Sequence, residues 1–285
     1  MSAAPIAKRL IAKMNQVRTG RLAKVTGLLK APLLGSEGLE PDPFHPAHEA
    51  HVEVQNRLGD IVSCISDMSE LARLWDLLAG AEDEYGPQGP PMSPLTVSYF
   101  QSWLLFDACV PKTTVTLTGI ILELGAITGM DFELARLARM QSQSRLGFYL
   151  HRGIKDGLSI LEELVTGNVC QAMVPAGHPG QQGELWLVRI FPPPFPGTVE
   201  HVVANTPYVV IDPPVQSWLA YFNRTLPQPL QATDYKRHMK FPPTWNYWHE
   251  YVFEAYVSHR REVIFLQGLP DDAKSRPHSR VNSGF

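Results

Sequence analysis

Three histidines fall close together in HPAHEAH, where His45, His48 and His51 are spaced three residues apart. Imidazole nitrogens bind zinc or iron, and Glu49 would complete such a site or act as the base of a metal-dependent hydrolase. On a straight helix each three-residue step turns by roughly 300°, so the outer rings diverge by about 120°. Pro46 makes this start irregular, which could bring the rings together; the plainer reading is a solvated helix start. Residues 248–254, WHEYVFE, hold His249-Glu250, half of a two-histidine zinc motif. Phe253 occupies the place of the second histidine, so the helix face that grips zinc is missing. No GxSxG elbow, GxxxxGK phosphate loop or GxGxxG turn occurs in the chain. These readings lean to a protein without catalytic residues, a bound metal or a cofactor.

One run is both basic and aromatic: YKRHMKFPPTWNYW at 235–248, with Lys236, Arg237, His238 and Lys240. Such a run could meet the phosphates of a single-stranded nucleic acid while its rings stack on bases. A solvated loop leading into a docked helix is the simpler reading. The whole-chain charge of -3 and a pI near 6.4 do not call for nucleic acid. Cys64, Cys109 and Cys170 lie far apart and form no CxxC pair, which predicts reduced thiols in a cytoplasmic protein. No run reaches the roughly 18–20 apolar residues of a membrane span, and no signal-peptide pattern is evident.

The elements that would position these residues follow from periodicity and charge. Residues 1–36 carry seven cations and no acid, and Ile6, Leu10, Met14 and Val17 mark an amphipathic helix that resumes at Leu22 after Gly20. It could dock on an acidic second helix, present a surface to a membrane, nucleic acid or protein partner, or serve as an organellar presequence. A helical region is expected over 37–143. Within it lie a second helix from about Glu49 to Leu78 and a third capped by Ser93 with Pro94 at its first turn and stopped by Pro111. Shorter helices are expected near Leu117–Leu124 and Asp131–Met140. The period changes from 3.6 to 2 at Ser144, and Phe148–Arg152, Leu158–Leu164, Val169–Val174, Glu184–Phe191 and Tyr208–Ile211 read as strands. Five short strands in this stretch predict a small antiparallel β-barrel or bent sheet over 144–212. C-terminal helices are expected over 213–268 and a disordered tail over 269–285. The fold class is therefore α+β.

Four stretches, YFQSWLLFD (99–107), SRLGFY (144–149), LEELVTGNVCQAMV (161–174) and GELWLVRIFPP (183–193), occur in an order that resembles a group of uncharacterised bacterial proteins. Some relatives in that group carry a C-terminal SEC-C zinc motif. The resemblance covers about residues 95–195. It departs at Glu163 and Glu184, where the group's pattern has Asp, and this chain lacks the cysteine cluster, so no zinc site carries over. What the resemblance implies is a fold and not a reaction. On it, Trp103 and Phe106 are core anchors that exclude water where helices meet barrel. Asp107, at an unfavourable helix C-terminus, is expected to accept bonds from Arg145 or from the turn leading into the first strand, the Arg145 pair being favoured. A ligand-binding role for Trp103, Asp107, Arg145 and Tyr149 at the same junction is the alternative. The expected function is a non-enzymatic binding or scaffold module for a protein partner. The alternatives are a single-stranded nucleic-acid binder and a hydrolase built on His45, His48 and His51.

Overall fold

The structure is a computed structural model that describes residues 2–16, 20–33, 46–90 and 92–273. The fold is α+β, with helices before and after a closed five-stranded barrel. The basic N-terminus forms α1 (Ala4–Gln16) and α2 (Arg21–Lys30), which bury Ile6, Leu10, Met14, Val25 and Leu29. Gly20 takes the left-handed conformation at the turn between them. Lys13 lies 3.3 Å from Glu70, and Arg21 forks onto Asp67 at 2.8 and 2.9 Å. The basic helices thus lie on the acidic segment that follows.

The single helix expected over Glu49–Leu78 is instead two, α3 (Pro46–Ile65) and α4 (Ala72–Tyr85). Met68 is extended between them, and a short 3₁₀ turn, Ser69–Leu71, leads into α4. Ser63 and Ser66 donate their hydroxyls to nearby carbonyls where α3 ends, the competition with backbone that favours helix termini. Next come α5 (Val97–Phe106), α6 (Leu117–Thr128) and α7 (Phe132–Gln143). Thr96, rather than Ser93, caps α5, accepting from the Tyr99 amide. Ser93 donates instead to the Tyr85 carbonyl at 2.6 Å.

The barrel strands are β1 (Leu146–Lys155), β2 (Leu158–Glu163), β3 (Val169–Met173), β4 (Leu185–Phe191) and β5 (Glu200–Val203). They run in the order β1-β2-β3-β5-β4, and β4 closes onto β1. The barrel is not wholly antiparallel, because β3 and β5 run parallel. At the β1–β2 turn Asp156 and Gly157 both have positive φ, the backbone that an Asp-Gly pair provides. The sheet extends past β4 through β6 (Tyr208–Asp212), and the C-terminal region returns to it. After α8 (Val215–Thr225), α9 (Ala232–Lys240) and α10 (Tyr247–Ala255), the hairpin of β7 (Tyr256–Arg260) and β8 (Val263–Gln267) adds to β6. The expectation of helices alone over 213–268 is thereby corrected, because β8 brings Val263, Ile264 and Leu266 into the core. Leu269 is also buried, and Pro270–Ala273 form α11, so the chain is ordered past 269. The rest of the expected tail lies outside the described residues.

Candidate ligand-binding site

Strand β4 is buried along nearly its whole length, and its side chains alternate between two cores. Trp186 and Val188 join Leu161, Ala172 and Val203 in the smaller core, whereas Leu185, Leu187 and Phe191 pack with the helices. Alternation puts Arg189 on the helical side with Leu187 and Phe191. A guanidinium only 2% exposed requires an anion and hydrogen-bond acceptors. It bonds the Ser144 carbonyl at 3.0 Å and the Ser144 hydroxyl at 2.9 Å, and its Nη2 reaches Asp107.

Asp107 follows the last residue of α5, where the chain leaves the helix and its amide bonds the Trp103 carbonyl at 2.9 Å. Its other carboxylate oxygen is 2.8 Å from Lys240 Nζ. Lys240 ends α9, and its ammonium also bonds the Ser142 and Ser144 carbonyls at 2.7 Å each, capping the C-terminus of α7. One carboxylate therefore stands between two buried cations. Desolvation pulls the Lys240 ammonium below the usual lysine range, and Asp107 pulls it back.

The expected Asp107–Arg145 pair does not form. Arg145 pairs with Glu163 across β1 and β2, Nη2 to Oε2 at 2.9 Å, and Thr166 donates to the same carboxylate. Arg145 immediately precedes β1 and its guanidinium turns to β2, where Glu163 is 2% exposed and needs a cation. Tyr149, also on β1, packs against the smaller core, away from Asp107. The four expected binding residues divide into two pairs: Trp103 and Asp107 line one cavity, whereas Arg145 and Tyr149 meet beside Gly147 and Glu163.

These two share a wall of a cavity of about 420 Å³ between α5, the loop after it, and the α9–α10 connection. Trp103 and Trp245 make one continuous face, their ring centroids 5.7 Å apart, and Phe241, Pro242 and Leu146 extend it. Trp103 and Phe106 are both buried in the core, as expected of seam anchors. Trp103 is a cavity wall as well as a core anchor.

Besides Asp107 Oδ1, which is held by its ion pair with Lys240, three buried polar groups of the lining residues have no hydrogen-bond partner among the described residues: the Tyr99 hydroxyl, Trp248 Nε1 and both ring nitrogens of His249. His249 is 1% exposed and sits edge-on to Trp103 at 4.4 Å, with Tyr85 and Tyr99 around it. Burial pushes its pKa down to about 3, so the ring is neutral at pH 7 and carries one N–H. A chamber of about 10 Å³ shares Tyr99, Trp103 and Asp107 with the cavity and reaches Arg189 and Asn205. That is room for about one water. Cys109 also lines the large cavity, its thiol pushed up to about 12 by burial and the nearby Asp107, so it is not a thiolate.

The described part of the histidine run includes His51, which is buried. His51 bonds the Pro192 carbonyl at 2.9 Å through Nε2 and meets the Gln141 amide at Nδ1, tying α3 to α7 and to the end of β4. His45 lies outside the described residues. Among the described residues, no group of three or more His, Cys, Asp or Glu could hold a metal ion. The basic run 235–248 is helix rather than loop at its start. Tyr235, His238 and Met239 face the core, Lys240 turns to Asp107, and Lys236 and Arg237 remain exposed. Among the described residues, no helix is long and apolar enough to cross a membrane.

No family model, no curated protein and no solved structure matches this chain.

The sequence held two signals that point to this site. A lone arginine in a strand apolar on both faces demands a buried acid, and Asp107 directly follows an aromatic-rich helix. Neither signal says that Lys240, 133 positions after Asp107, completes the cluster, since helical periodicity does not reveal α9 in a polar run.

Proposed function

We propose that this protein is a non-enzymatic binding module, and that it binds a small molecule in the cavity between α5 and the α9–α10 connection. One observation carries the reading: a cavity of about 420 Å³ that places three buried, unpartnered hydrogen-bonding groups beside a continuous aromatic wall. Its size falls in the range of roughly 300–1,000 Å³ typical of small-molecule sites, and its composition, mostly apolar with a few convergent polar groups, is theirs too. Buried polar atoms nearly always find partners, so three of them on residues that line one cavity favour a ligand that supplies them. The protonation states favour binding over catalysis. Cys109 is a thiol, His249 is a very weak base, and Lys240 is held by three oxygens.

A protein partner and a single-stranded nucleic acid remain the competing readings, and neither has a comparable feature in its favour. The test is a fragment screen by thermal shift on the wild type and on His249→Phe, which keeps an aromatic ring but removes both nitrogens. Fragments that stabilise the wild type and lose that effect in the variant support the reading. A screen in which every stabilising fragment acts equally on both proteins overturns it.

A further inference from the structure

The cavity's polar groups select for charge as well as shape. We propose that its ligand is a small aromatic or otherwise flat organic acid, its carboxylate held by Tyr99, Trp248 and His249 and its apolar body laid on Trp103 and Trp245. This rests on the cavity being a ligand site, and adds the chemical class.

The donors come first. An indole N–H can only donate, a phenol donates readily, and a neutral imidazole carries one N–H. The unpartnered groups at this wall therefore lack acceptors, and a carboxylate is acceptor-only with room for several donors.

Charge points the same way. Asp107 is the only acid among the described residues that line the cavity, and both its oxygens already face cations, Arg189 on one side and Lys240 on the other. A cationic ligand would find no free carboxylate. On the positive side, Lys240 and Lys112 both line the cavity, with Arg189 directly behind Asp107. The C-terminal ends of α5 and α7 add partial negative charge here. Several carbonyls there are bonded, however: Ser142 by Lys240, Ser144, just past α7, by Lys240 and Arg189, and Leu105 by the Thr118 hydroxyl at 2.8 Å. The field left for a ligand is positive.

The shape comes from the aromatic wall. Trp103 is 7% exposed and Trp245 39% exposed, so the pair, tilted by 33° to each other, runs from the buried side to the mouth. Lys112, exposed at the rim, holds a left-handed backbone with φ of 65°.

Titration calorimetry on the full chain at low salt and pH 7.5 tests the class with three probes of one shape: 2-naphthoate, 2-naphthamide and 2-naphthylmethylammonium. The expected result is naphthoate binding at least about tenfold more tightly than the amide, with the ammonium weaker still. Lys112→Asn, at an exposed position where Asn tolerates positive φ, should fold normally. It should weaken naphthoate a fewfold and leave the amide unchanged. Equal binding of all three probes, or a preference for the ammonium, overturns the organic-acid assignment while the cavity reading stands. Failure of all three probes while neutral indole binds has the same consequence. If neither the probes nor indole bind, the assignment and the cavity reading fall together.

Discussion

Replacing His249 by Phe should make the protein more stable. The imidazole is 1% exposed, makes no hydrogen bond among the described residues, and is boxed by Tyr85, Tyr99, Phe100 and Trp103. A buried polar group without a partner costs about 1–3 kcal/mol relative to one of the same shape without polar atoms. Phe is larger than His, but the ring borders the cavity of about 420 Å³ and has room to relax. At about 2–4 °C per kcal/mol for a chain of this order, the melting temperature should rise by roughly 2–12 °C. Differential scanning calorimetry reads it directly. The gain should be larger at pH 5.5 than at pH 8. The folded His249 titrates at about 3 and the unfolded one near 6.5, so the wild type alone loses stability to protonation of the unfolded chain in that window. The same variant should lose ligand binding, the exchange of stability for function expected of a binding site. A melting temperature that falls in His249→Phe would refute the reasoning, because it would mean that the imidazole is satisfied and structural.

Further outcomes follow from the same cluster. Asp107→Asn leaves Arg189 and Lys240 buried without their counter-charge, a loss of about 3–5 kcal/mol, and the melting temperature should drop by roughly 6–20 °C. Arg152→Ala, at the exposed pair with Glu162, should leave it unchanged. Burial holds His51 and His238 at about 4 and His249 at about 3. Stability is thus fully present above about 6.5 and is lost as pH falls toward 4. Chemical denaturation at pH 6 and 5 should give a slope approaching three protons, about 1.4 kcal/mol per pH unit for each. Cys109 and Cys170 are both pushed up to about 12, so both should alkylate slowly at pH 8 in the native protein. Ligand should slow Cys109 further and leave Cys170 unaffected, since only Cys109 lines the cavity; equal slowing would mean that the ligand sits elsewhere.

Much of the fold is legible in the sequence because it rests on local period. The change to period 2 at Ser144 marks the barrel's start, and the Asp156-Gly157 turn and the apolar run of β4 mark its strands. The parts that are not legible depend on distant partners. Strand β7 is mostly exposed, and its pairing with β8 has no signal in its own alternation. Helix α9 shows only a one-turn stripe, Tyr235, His238 and Met239, in an otherwise polar run. At the site, sequence neighbourhood favours Arg145 as the partner of Asp107. Arg189, 82 residues away, wins because barrel closure of β4 onto β1 brings it under the end of α5. The cavity itself is a matter of volume, left by the bend of the chain at Phe241–Pro243, and residue types alone do not report it.

Crystals of the full chain soaked with a small-fragment mixture test the central claim most directly. Density for a fragment against Trp103, with a polar atom within hydrogen-bond reach of Tyr99, Trp248 or His249, is the predicted result. Fragments bound only at other surfaces, with the space beside Trp103 closed by side chains, would contradict it.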